Sequence, residues 1–198
     1  TAEHNTVELG GTDSSLMAGP FNWRRSPRAT GTLVSTGATV RGLEVEALHE
    51  GYVERLGLVH RRRLVATGGR SYALEDQVDG RPGVGFRWSL LVAPDHDVAR
   101  TGEGWAIRRH DREVVVLRVP ERWRPSMREE PAWCSPAFGR LDPATRLVLE
   151  GTTASSTAIS LEVVVAGVGR PAGPPPPRSW RGPTSAGSSC PSSPAEDT

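Results

Sequence analysis

Apolar and polar residues alternate with a period of two through most of this chain, and that period excludes most architectures at once. In "ATVRGLEVEAL", Val40, Leu43, Val45 and Ala47 alternate with polar neighbours, with Gly42 placed as a bulge. The segments "GLVHRRRLVAT", "SYALEDQVDG", "GFRWSLLVAP", "GWAIRRHD", "EVVVLRVP", "TRLVLEGTT" and "AISLEVVVAG" repeat the pattern, each bounded by Gly, Pro, Asp or Thr. Successive side chains of a strand point to opposite faces, so a chain written this way can bury one side of a sheet but not one stripe of a helix. No window carries a convincing amphipathic helix. About ten short strands at this spacing predict an all-β fold, an antiparallel two-sheet β-sandwich. "VDGRPG" and "HDRE" fall where hairpin turns are expected. One stretch departs from the pattern. "ERWRPSMREEPAWCSPAFGRLDPA" holds two tryptophans and four prolines and is expected to form a long, partly ordered loop across the sandwich.

From about Gly167 onward the composition changes. Pro174 to Pro177 favour an extended polyproline conformation, and the surrounding Gly, Ser and Pro bury too little apolar surface to order themselves. The expected organisation is therefore a β-sandwich domain over 1–167 and a disordered tail over 168–198. A PxxP-type ligand role is the alternative reading of the tail; the default for such tails is a spacer.

The 24 basic and 23 acidic residues nearly cancel, which removes any argument from net charge for nucleic acid or a membrane surface. No apolar stretch approaches the ~20 residues of a membrane-spanning helix, and no secretory signal pattern opens the sequence. Cys134 and Cys190 lie far apart, the second in the tail, so a structural disulfide is not expected. The longest basic run, Arg61-Arg62-Arg63, sits in a strand where two of its members should face solvent.

Histidine is the side chain best suited to proton transfer near neutral pH. His96 and His110 fall in turn-like sequence and are expected to be exposed. His49 and His60 each sit mid-strand, eleven residues apart, with a turn expected near Arg55-Leu56-Gly57 that brings both rings onto one face. Such a pair is either two hydrogen-bonded, half-buried histidines or, with Asp or Glu completing the set, a metal site. His4-Asn5 is a different combination: an imidazole that accepts a proton beside an amide that donates to a developing oxyanion. No nucleophile elbow, phosphate loop or Cys-x-x-Cys is present.

The order of six segments resembles the C-terminal β-sheet domain of the heparinase II/III-like polysaccharide lyases. "HNTVELGGTDSS" is similar to that family's "HNTV-x-VDG-x-x-QS"; then come "GPFNWRRSP", "ALHEGYVERLGLVHRRRLV", "LEDQVDG", "RWSLLVAPDHDV" and "WCSPAFGRLDPATRLVLEG", spanning about residues 3 to 166. Gly10-Gly11 stands where the family commonly has Asp-Gly, a harmless turn substitution. The resemblance implies an (α/α) toroid N-terminal to this domain in the parent lyase, with the active site between the two. It implies β-elimination at a uronic acid: the carboxylate is neutralised, a base removes the C5 proton, and an acid protonates the leaving oxygen. The catalytic residues implied here are His4, as neutraliser or base, and Asn5 beside it. The family's acid/base Tyr belongs to the toroid, so that role is not carried over to Tyr52 in "HEGY". Without a toroid the chain alone is expected to have negligible activity. Some members carry a structural metal in this domain, Zn or Ca, for which His49 and His60 are the candidates. The implied partners are an anionic polysaccharide and the toroid. The parent's location would be periplasmic, cell-envelope or secreted.

Two other readings stand beside this one. A non-catalytic carbohydrate-binding sandwich would use Trp23, Trp88, Trp105, Trp123 and Trp133 as stacking platforms and arginines, Arg24 next to Trp23 among them, to meet carboxylates or sulfates. Core packing is the usual fate of such tryptophans. A nonfunctional remnant is the third reading.

Overall fold

The structure is a computed structural model that describes residues 3–19, 22–25, 29–35 and 43–166. Residues 36–42, with the expected bulge at Gly42, and the segment 167–198 lie outside the described residues.

The described residues form two antiparallel sheets and a small hairpin. The four-stranded sheet has the order β1 (Val7–Leu9), β8 (Gly85–Val92), β13 (Arg140–Thr152), β12 (Met127–Ala137). The eight-stranded sheet has the order β4 (Ala29–Ser35), β5 (Glu44–His49), β6 (Leu58–Gly68), β7 (Ser71–Gly80), β14 (Ser156–Val165), β11 (Arg112–Arg118), β10 (Gly104–Arg109), β9 (Asp97–Arg100). β2 (Leu16–Gly19) and β3 (Asn22–Arg25) pair with each other. A single turn of helix, α1 (Val53–Leu56), joins β5 to β6 and ends on Gly57 at φ 67°, a left-handed cap suited to glycine. The predicted all-β, two-sheet architecture is the one observed.

The period of two buries what it should. From the smaller sheet Val7, Leu9, Phe86, Trp88, Leu147 and Leu149 point inward, and from the larger Leu58, Val78, Leu117, Ile159 and Leu161 meet them. Burying one such side chain contributes about 1.5–3 kcal/mol. The larger sheet extends past the smaller one. There Val45 and its cross-strand neighbour Leu64 remain 38 % and 37 % exposed, although their parity places them on the inner face.

Two expectations need correction. The proline-rich stretch is not a loop: after a short 3-10 turn at Arg124–Ser126 it forms β12 and the first residues of β13, and the two strands pair from Met127↔Leu149 to Ala137↔Arg140. β12 is an edge strand, where a residue lacking an N–H costs no ladder bond on the open side, and Pro143 lies beyond the Thr145–Thr152 stretch that pairs with β8. "VDGRPG" is likewise not a hairpin: it carries the chain from β7 in one sheet to β8 in the other. "HDRE" is one, with His110 and Asp111 at φ 49° and 60° between the paired strands β10 and β11.

Candidate functional site

Between the sheets, on the inner face of β7, Asp76 is a fully enclosed carboxylate. Its parity matches Leu74 and Val78, so an acidic group occupies a core position of the strand. Four donors satisfy it. His60 Nε2 and Arg62 Nε reach Oδ1 at 2.7 and 2.8 Å; Arg62 Nη2 and Trp88 Nε1 reach Oδ2 at 2.8 and 2.8 Å. Arg62 is the register partner of Asp76 across β6–β7, which lets its planar fork bind side-on, while Trp88 closes the cluster from the opposite sheet. Burial alone would raise the Asp76 pKa, but the donors from His60 and Arg62 outweigh it and hold the carboxyl below its ordinary value.

His49 and His60 are register partners on β5 and β6, as the eleven-residue spacing predicted. His60 Nδ1 lies 3.0 Å from His49 Nε2, with the rings edge-on at 5.0 Å between centroids. Gly51 N–H donates to His49 Nδ1 at 3.3 Å. A backbone N–H can only donate, so His49 Nδ1 accepts, His49 Nε2 carries the proton, and His60 Nδ1 accepts in turn. His60 Nε2–H then points at Asp76, and the relay is neutral at both rings. Burial, reinforced by the nearby Arg62 guanidinium, pushes the His49 pKa down to about 4. All four ring nitrogens thus have protein partners. No group of three or more His, Cys, Asp or Glu among the described residues converges as a metal would need, so the pair does not fit a Zn or Ca site.

The relay ends on the segment that carries His4 and Asn5. Arg62, held on Asp76 by two of its nitrogens, donates through Nη1 to the carbonyl of Asn5. Ser89 Oγ donates to the carbonyl of His4 at 3.0 Å, and Ser89 N–H to that of Thr6 at 3.0 Å. Leu91 N–H donates to Asn5 Oδ1 at 2.7 Å. That last bond settles the orientation of the amide: its oxygen is occupied, so its NH2 is the end available to donate. The backbone of residues 4–6 is pinned, while the side chains of His4 and Asn5 lie on the exposed surface.

The other candidates scatter. Trp88 and Trp105 are buried, and Trp123 packs edge-on against Phe86 at 5.8 Å, so these three are core residues and not platforms. Trp133 is 62 % exposed. Arg24 is exposed on β3; the side chain of Trp23 lies outside the described residues. Tyr52 is fully buried, with its hydroxyl 3.4 Å from the carbonyl of Val7. Of the arginine run, Arg61 and Arg63 take the outer face, pairing with Glu46 and with Glu44 and Glu75, and Arg62 alone turns inward. Arg62 and Asp76 are the residues that sequence reasoning missed. The available signal was their parity with the apolar positions of β6 and β7.

The family described as "Heparinase II/III-like, C-terminal" matches residues 1–162. The chain belongs to that family. Among solved structures, this heparinase II/III-like domain is similar to heparan sulfate lyase HepC from Pedobacter heparinus, at 14% identity and a TM-score of 0.62 over 83% of this chain and 24% of that one. It is also similar to a heparinase III solved with methylated lysines, at 16% identity and a TM-score of 0.59 over 82% of this chain and 23% of that one. The domain therefore spans about a quarter of the length of these structures, and the likeness is one of fold. No curated protein matches the sequence.

Proposed function

We propose that this domain is the β-half of a polysaccharide lyase that cleaves a uronic-acid-containing polysaccharide by β-elimination, together with an (α/α) toroid. The observation that carries the reading is the pinned, outward-facing His4-Asn5 pair, whose backbone is tied to an interior hub while its side chains meet solvent.

In this role His4 neutralises the uronate carboxylate or takes the C5 proton. The NH2 of Asn5, free to donate because Leu91 N–H holds the oxygen, hydrogen-bonds the oxygen on which enolate charge develops. A carboxylate left fully charged resists carbanion formation at the adjacent carbon, so donors placed there lower the barrier; removing one such donor typically costs about 10²–10³ in rate. Asp76 and Arg62 touch no substrate in this scheme. They hold the Asn5 carbonyl, and a shift of ~1 Å at such a site costs about 10²-fold.

The family relationship and the fold support this reading; substrate and activity are its test. The DNA upstream of the Thr1 codon would be sequenced for an in-frame toroid, and the joined protein assayed on uronate polysaccharides for the ultraviolet-absorbing unsaturated product. Product formation that disappears in His4→Ala is the expected result. A joined protein that makes no such product from any uronate polysaccharide sinks the proposal. A second reading, a non-catalytic module for anionic polysaccharide, draws on Trp133, which is 62 % exposed. Binding without turnover would favour it.

A further inference from the structure

A second cation sits beside the same segment, outside the hub. Arg146 on β13 is the register partner of Leu91, the residue whose N–H holds Asn5. Leu147 and Leu149 point into the core, so Arg146 belongs to the opposite face of the four-stranded sheet. Its side chain is nonetheless only 10 % exposed. A guanidinium keeps its charge at any physiological pH, and an enclosed one needs an anion. Here the anion is Glu3, whose Oε2 accepts from Arg146 Nη2 at 2.6 Å. Arg146 also holds the Glu3 pKa below its ordinary value.

The two partners are unequal. The Glu3 side chain is 78 % exposed, and a carboxylate so open to water leaves an ion pair at little cost. Arg146 cannot be left alone at similar cost, so what releases Glu3 must be another anion. Nor is the contact required as a strap, because residues 4–6 are already held by Ser89, Leu91 and Arg62. Glu3 also immediately precedes His4, which places the held carboxylate at the exposed imidazole's own stretch of chain.

We propose that Arg146 is an anchor for a carboxylate of the sugar chain, and that Glu3 fills that subsite until the sugar displaces it. The substrate class rests on the lyase reading above; the exchange of one carboxylate for another on Arg146 does not. The swap is anion for anion, with no change in the charge of the enclosed pair. A sugar acid held there lies beside His4 and Asn5, and the bidentate fork of Arg146 selects planar carboxylates over neutral hydroxymethyl groups.

The test uses this chain as it stands and isothermal titration with a tetrasaccharide of alternating glucuronic acid and N-acetylglucosamine. Its carboxyl-reduced, neutral counterpart serves as control. Glu3→Gln removes the internal competitor without touching the core and should raise affinity for the acidic tetrasaccharide about tenfold, with no gain for the neutral one. Arg146→Gln should abolish binding of the acidic form. If that variant fails to fold, the Glu3→Gln comparison still decides. Unchanged affinity in Glu3→Gln, an equal gain for both sugars, or no binding by either protein overturns the proposal. A selective gain here, alongside a joined protein that makes no unsaturated product, would leave the subsite standing and remove the lyase reading.

Discussion

Around Leu147 and Leu149 the two sheets meet through apolar side chains, whereas one strand over, at Trp88, they meet through a carboxylate that accepts four hydrogen bonds. The first region stabilises by area removed from water, a non-directional effect that relaxes partly around a deletion. The second stabilises only when complete, because an enclosed charge that loses a partner keeps its desolvation cost. It also transmits position. The Asp76 hub reaches the Asn5 carbonyl through the Arg62 side chain, whereas the bonds from the β8 strand beside Leu147 and Leu149 come from Ser89 and the Leu91 backbone and not from the apolar side chains.

The sharpest way to break the comparison is Asp76→Ala. It strands the Arg62 guanidinium, the His60 N–H and the Trp88 N–H, and should cost about 3–5 kcal/mol in urea unfolding. Hydrogen exchange at the Leu91 amide should accelerate beyond what the global loss explains, because Asn5 loses its tether. Leu149→Ala should cost a similar or smaller amount, about 2–4 kcal/mol, yet leave Leu91 exchange tracking global stability. Selective acceleration in the leucine variant would erase the distinction between the two regions.

Arg62→Lys is a finer probe. It keeps the charge but loses the bidentate fork and the bond to Asn5, at about 1–2 kcal/mol; a cost equal to that of Asp76→Ala would mean that the fork, and not the carboxylate, organises the hub. A smaller effect concerns pH. The His49 pKa falls on folding from about 6.5 to about 4, so the unfolded chain binds more protons between those values. The contribution of His49 is fully present above pH 6.5 and is lost as pH falls toward 4, by about 1 kcal/mol once the half-open position of the ring is allowed for. His49→Gln should flatten the unfolding midpoint across that window. The depressed Asp76 carboxyl acts lower: its contribution is present above the ordinary Asp value near 3.8 and is lost below it. The smallest effect expected is that of Trp133→Ser, within about 0.5 kcal/mol of unchanged, since that ring is exposed. A large loss there would mean that Trp133 packs against something.

Strand identity was legible wherever turns were short and parity was clean, as in β6, β7, β10 and β11. The His49–His60 pairing was legible too, because a fixed turn length sets register in an antiparallel pair. β12 and the first residues of β13 were not, since Pro131, Pro136 and Pro143 read as breakers until the edge position of β12 and the overhang of β13 are known. Asp76 was hidden for a related reason. In "LEDQVDG" an aspartate reads as a solvent-facing residue, and only the arrival of Arg62 and His60 from β6 and Trp88 from the other sheet makes its burial affordable.

The alternation of side chains along the sequence determined that this protein is a β-sandwich, because a period of two can bury only a sheet face. Which turns cross between sheets, which prolines an edge tolerates, and which cations meet Asp76 and Glu3 were decided by tertiary structure. Those outcomes depend on partners separated by 14 to 143 positions in the chain, and no local pattern carries that distance.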